Sequence, residues 1–179
     1  HMACDQHVVK MPTETAQMLS TVVRKMGVSM GYRPSHEKHP CTIWVGASLA
    51  NFTWTVQHGL ALCEEYSKRF HRVHGAKVVI YSISEAMGDL RFPEIRRTPF
   101  AQAMPDIYKQ DDPVKAYRAY YLGDKRAFAR WRNGRIPPNW WREALRKERE
   151  NAESIGGRGD DSPGGHADLL SSEAGGVES

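Results

Sequence analysis

Five polar residues near the start of the chain, His7, Lys10, Glu14, Gln17 and Thr21, stand at offsets of 0, 3, 7, 10 and 14. In a continuous helix these offsets share one face, because residues three and four apart are neighbours. His7 and Glu14 would then lie about 10 Å apart along the axis, at 1.5 Å per residue. An imidazole, an ammonium and a carboxylate in one row can handle protons or stabilise a cation, a part that falls to Glu14. The same row also fits the solvated face that every amphipathic helix owns. The pattern by itself leaves both readings open.

Two further sets carry chemistry. Cys4-x2-His7 and His39-x-Cys41 have the atom types of a four-ligand zinc site, and His36/His39 and His71/His74 are spaced by three. The spacing is not that of a standard zinc finger, so neither a metal nor a small-molecule cofactor is expected. The other set lies in the C-terminal half. Arg118, Lys125, Arg126, Arg130, Arg132 and Arg135 alternate with Tyr117, Tyr120, Tyr121, Trp131, Trp140 and Trp141. Arginines bind phosphates, and aromatic rings stack on exposed bases or fill the gap left by an extruded one. Most of the rings are expected in the core, the commoner use of large aromatics, and most of the arginines outside. Arg96 and Arg97 extend the basic face. Lys10, Arg33 and His39 complete the expected DNA-contacting residues.

Charge points the same way. From Glu150 to Ser179 there are seven acids and one base, which leaves 24 Lys and Arg against 14 Asp and Glu on residues 1–149, a net of +10. An excess of that size favours phosphate-rich partners. No apolar run approaches the roughly 20 residues of a membrane span, so no membrane partner is expected. Three cysteines without scaffold spacing fit a reducing interior, hence a cytoplasmic setting.

The elements that must hold these groups read as helices. Apolar residues recur at helical spacing from Met11 to Met26, with Gly27 as the stop, Asp5 as a cap and Pro12 as an expected kink or break. Phe52, Val56, Leu60, Cys63, Tyr66, Phe70 and Val73 predict the longest helix, closed by Gly75. Val78–Met87 fits a strand or a short helix equally. Residues 88–111, with three prolines, read as a long loop, which at that length is either functional or well packed. Asp112-Pro113 opens a helix that Ile136-Pro137-Pro138 ends. The expected fold is all-α: one compact helical domain over 3–149 with long ordered loops, then a disordered acidic tail over 150–179.

Asp5-Gln6-His7-Val8-Val9, then Glu14, then Gly31-Tyr32 and His39-Pro40, resemble the pyrimidine-dimer DNA glycosylase (endonuclease V) family over roughly residues 5–75. A closer likeness, over roughly residues 4–141, is to uncharacterised phage and bacterial proteins. It rests on Asp5–Met11, His39–Trp44, Thr98–Asp106 and Tyr117–Tyr121. The family resemblance implies a small helical protein in which an N-terminal amine attacks sugar C1′ and forms a Schiff base. Glu14 matches its catalytic glutamate and His7 the nearby histidine. Thr13 stands where that family has arginine, and the family's nucleophile-bearing segment reads as missing ahead of Asp5. Lys10 can replace that amine only if its pKa is lowered. The resemblance implies a DNA repair enzyme, a DNA N-glycosylase with abasic-site lyase activity, in a bacterial or phage-infected cell. The alternatives are a non-catalytic DNA-binding protein, or a nucleotide-modifying enzyme using His7, Glu14 and His39.

Overall fold

The structure is a computed structural model and describes residues 2–156. Among these residues there are six α-helices and no strand: α1 Asp5–Lys25, α2 Pro40–Ala47, α3 Leu49–Phe70, α4 Ala76–Glu85, α5 Pro113–Leu122 and α6 Asn139–Gly156. The all-α expectation is met, and Val78–Glu85, most of the ambiguous Val78–Met87 stretch, resolves as helix. The chain divides into two compact units, the first ending at Glu143 and the second starting at Ala144. In the second unit, the described part is the remainder of α6, where Arg146 pairs with Glu150 at 2.9 Å one turn later. Helix therefore continues through Gly156, past the residue 150 at which the sequence places the acidic tail. The rest of that expected tail lies outside the described residues.

The core of the first unit is a cluster of α1, α2, α3 and α4. Leu19 and Val23 of α1, Val45 of α2, Phe52 and Cys63 of α3, and Ile80 and Ile83 of α4 are all essentially inaccessible. Gly59 lets three helices meet closely. A Cβ there would stand 2.7 Å from Thr15 Cγ2 and 2.9 Å from Ile80 Cδ1. The helical run that predicts α3 shows why Gly59 sits on its buried face: it lies three residues after Val56 and four before Cys63.

Several local expectations need correction. Helix α1 is not broken at Pro12. Pro12 is buried, with Val8, Thr15 and Ala16 buried to either side, so packing along the whole face outweighs the one backbone bond that proline removes. Asp5 does not cap α1; Cys4 holds the cap position, and the Asp5 carboxylate is drawn instead to Arg69 at 2.8 Å. Gly75 does not close α3. His71 does so in a left-handed conformation, φ 54°, and Gly75 starts α4. Val73, expected on the buried face of α3, is consequently exposed. Helix α5 stops at Gly123, well before the prolines, so Phe128 and Trp131 come from irregular chain.

The long loop is packed against the core at three points, while most of its other residues are exposed. Leu90 is buried, and Phe92 and Phe100 lie against the core. Asn51 anchors the loop: its Oδ1 accepts from Thr98 N at 3.0 Å while its Nδ2 donates to Trp44 O at 2.8 Å. Glu94 O and Ile95 O accept from Leu49 N and Ala50 N, satisfying two otherwise orphaned donors at the start of α3. Asp112 caps α5 as the sequence predicts, its Oδ1 accepting from Val114 N at 2.8 Å.

Candidate active site

The polar row of α1 is real, but it is only partly solvated. Its far end is covered: Thr21 is buried, with Oγ1 donating to Ser35 O and accepting from Ser35 N, both at 3.0 Å. This pins the 28–39 loop onto α1. Arg24 secures the same loop, Nε donating to Tyr32 O at 2.7 Å. His7, Lys10 and Glu14 are left at the open end.

Glu14 is 39% exposed and pairs with Lys10 across one turn, Nζ to Oε1 2.9 Å. The Glu14 bond and charge raise the Lys10 ammonium above its ordinary value. An amine nucleophile needs the opposite shift. Lys10 instead helps to keep the Glu14 carboxylate in place.

His7 is half-buried. Nδ1 contacts the Tyr121 hydroxyl of α5, and the imidazole meets the Tyr121 and Phe128 rings edge-on, with centroids 5.0 and 5.6 Å away. Burial lowers its pKa from 6.5. Lys125 and then Lys10 push the same way, while Glu14 opposes them. The imidazole is therefore held neutral near pH 7. The charge of Glu14 is felt at Cys41 as well as at His7. Cys41 Sγ lies 4.0 Å from Tyr117 OH, and burial raises its thiol pKa. Tyr117 OH donates to Ala101 O at 2.8 Å, and burial pushes its pKa up to about 12. Thus α1, α2, α5 and the loop around Ala101 all reach the region of Glu14.

Tyr117, Tyr121, Cys41, Phe128 and Lys125 were not assigned to this site from the sequence. The signal was the i, i+4 spacing of Tyr117 and Tyr121, which places two hydroxyls on one face of α5. Nothing local in the sequence indicates that this face meets α1.

His39 has a defined structural task. Its Nδ1 accepts from Cys41 N at 3.2 Å and caps α2, one position before Pro40. Among the described residues, no three of His, Cys, Asp and Glu converge as a metal-binding set. Cys4 is instead beside Tyr121, and Cys41 beside Tyr117.

The basic residues divide by role. Lys10, Arg33, Arg96, Arg97, Arg118, Arg126, Arg130 and Arg132 are exposed. Arg118 lies over the Trp140 ring at 5.6 Å and Arg97 over Phe100 at 5.4 Å. Arg135 is committed to Glu65, Nη2 to Oε2 3.1 Å. Of the aromatics, Trp141 alone is buried, and Tyr117, Tyr120, Tyr121, Trp131 and Trp140 are half-buried, so most of these rings lie at the edge of the fold and not in the core where they were expected. The segment before α1 is clamped by the 130–132 stretch: Trp131 Nε1 donates to Met2 O at 3.1 Å, and Asp5 N donates to Arg130 O at 2.8 Å.

No helix among the described residues is long and apolar enough to cross a membrane. No curated protein and no solved structure matches the chain. Residues 3–77 match the family model described as pyrimidine dimer DNA glycosylase. This stretch contains His7, Lys10, Glu14, His39 and Cys41, and over it the resemblance read from the sequence holds: α1, α2, α3 and the start of α4 are pyrimidine dimer DNA glycosylase-like.

Proposed function

We propose that this protein is a DNA-processing enzyme, an N-glycosylase with abasic-site lyase activity, working at the open end of α1. The observation that carries the proposal is the joint placement of Glu14 and His7. Both lie within the glycosylase-like segment and on one helix face, with the imidazole buried enough to stay neutral and the carboxylate left accessible. A carboxylate there stabilises the cationic Schiff base that forms when an amine displaces the base from C1′. The amine comes from elsewhere than Lys10. The residues leading into α1 pass Trp131 and Tyr121, which directs that part of the chain toward the His7 end of the row.

DNA as partner is supported by the family match and by the exposed cations. Arg118, Arg126, Arg130 and Arg132 take phosphates, with Arg33, Arg96, Arg97, Lys10 and His39 as further contacts. Extrusion of the target nucleotide gives access to C1′. Arg135 is left out of this set because Glu65 already holds it.

Borohydride trapping of the full chain on duplex DNA with a single abasic site tests the reading. A covalent protein–DNA adduct is expected, because borohydride reduces the Schiff base to a stable amine. DNA binding without adduct or strand cleavage would leave a DNA-binding protein with no lyase chemistry.

A further inference from the structure

Two lysine charges reach the His7 imidazole, that of Lys125 and, less strongly, that of Lys10. Lys10 is tied to Glu14 by an ion pair of 2.9 Å. Lys125 is half-buried, and among the described residues its ammonium pairs with no carboxylate. Its neighbour Asp124 is engaged elsewhere, accepting from the Tyr108 hydroxyl at 2.7 Å. Lys125 Nζ lies instead over the Tyr120 ring, 4.4 Å from its centroid, and 5.9 Å from that of Phe128. Phe128 in turn meets the His7 imidazole edge-on at 5.6 Å, so amine and imidazole share one neighbouring ring. The backbone fixes this placement. Lys125 N donates to Tyr120 O at 3.4 Å, and Lys125 O accepts from Ala129 N at 3.0 Å, with Ala129 itself buried.

We propose that Lys125 is the nucleophilic amine of this site, the group that forms the Schiff base at C1′. The proposal rests on the lyase reading and supplies the amine that reading needs. Lys125 lies outside residues 3–77, so the glycosylase-like segment does not assign it. An aromatic face holds a cationic nitrogen without taking a hydrogen bond from it to a carboxylate, and it attracts an iminium as it does an ammonium. The Tyr120 ring therefore suits the nitrogen both before and after the reaction. The Glu14 charge reaches His7 too, so the carboxylate that offsets the iminium charge belongs to the same cluster.

The step balances on an abasic site. The lone pair of the neutral Nζ adds to C1′ of the ring-opened sugar, and the carbonyl pair moves onto oxygen. One proton shed by the nitrogen and one from solvent carry that oxygen off as water, leaving C1′=Nζ as the iminium. Borohydride then delivers hydride to C1′ and fixes the bond as a secondary amine.

The test is borohydride trapping of the full chain on duplex DNA with one abasic site, followed by digestion and mass spectrometry of the sugar-bearing peptide. The sugar is expected on Lys125. Lys125→Arg keeps the positive charge but not the nucleophile. It should lower the trapped yield at least about a hundredfold, as for a group that acts in the chemical step, while DNA affinity without borohydride stays within a few-fold. The peptide map is made on the wild type, so it decides the matter even if Lys125→Arg does not fold. A sugar on Lys10 or on the N-terminal peptide, or undiminished trapping by Lys125→Arg, overturns the assignment and leaves the lyase reading standing. DNA bound with no adduct on any peptide overturns both.

Discussion

Arg69 Nη1 lies 2.8 Å from Asp5 Oδ1, joining the first turn of α1 to the last turn of α3. The guanidinium is completely buried, and its Nε bonds Glu65 Oε1 at 2.7 Å. Asp5 Oδ2 accepts from Arg132 N at 3.0 Å, and Asn133 Nδ2 donates to Arg69 O at 2.7 Å. Asp5 is two residues from His7, so this network sets where the His7 end of α1 sits. Replacing Arg69 by Met removes the shared cation and leaves two carboxylates short of a partner. The expected loss is about 3–5 kcal/mol, the range for breaking a buried pair from one side. Urea unfolding checks it; a loss under about 1 kcal/mol would show that the network is peripheral.

The same network makes stability sensitive to acid. Burial acts to raise the Glu65 pKa, but the bond and charge of Arg69, joined by Arg135, hold it below the ordinary 4.5. A carboxylate lowered in the folded state binds fewer protons than in the unfolded chain. Its contribution is therefore full above 4.5 and is lost as pH falls through the folded value. His7 and His58, both lowered from 6.5 by burial first of all, add a loss that begins as pH drops below 6.5. Thermal unfolding from pH 7 to pH 3 should show Tm falling from about 6.5 downward and more steeply below 4.5. A Tm that is flat across this interval contradicts the assignment.

Gly59→Ala should destabilise the protein by about 1–3 kcal/mol, the usual cost of overfilling a packed core. The added methyl meets Thr15 on α1 and Ile80 on α4, both inside 3 Å. Restoring stability with Ile80→Val in the same chain would identify the crowding partner. Gly59→Ala that is neutral or stabilising, as helix propensity alone predicts, would mean that the helices are not this close.

These packing features show what the sequence could and could not convey. Helical periodicity made α1 and α3 legible, and Asp112-Pro113 marked the start of α5, because each depends on neighbours in sequence. The row of His7, Lys10 and Glu14 was legible for the same reason. Arg69 was not: an arginine reads as a surface charge until a fold brings Asp5 and Glu65 to it. Tyr121 was visible only as one aromatic among several, since its partner His7 lies 114 positions away. Gly75 misled because a glycine after a helical run serves equally before the next one, and here His71 had already turned the chain.

DNA binding should weaken steeply with salt and depend little on sequence. The basis is the net +10 of residues 1–149 and the exposed Arg126, Arg130 and Arg132. Each phosphate contact contributes about −0.9 to the slope of log K against log salt. Arg130→Ala with Arg132→Ala should make the slope shallower by about 1–2 while changing stability by less than about 1 kcal/mol, as for exposed positions. A slope unchanged in the double variant moves the phosphate contacts elsewhere.

The most direct test of the central claim is Glu14→Gln, assayed in parallel for binding and cleavage on abasic-site and ultraviolet-irradiated DNA. Glutamine keeps the shape and removes the charge. The lost pair with Lys10, 2.9 Å long and largely exposed, contributes only about 0.3–0.5 kcal/mol to stability, so the variant should fold normally. If Glu14 stabilises a cationic intermediate, strand cleavage should fall at least a hundredfold while DNA affinity stays within a few-fold. Cleavage by Glu14→Gln at the wild-type rate would contradict the account and reduce Glu14 to a residue of the solvated face.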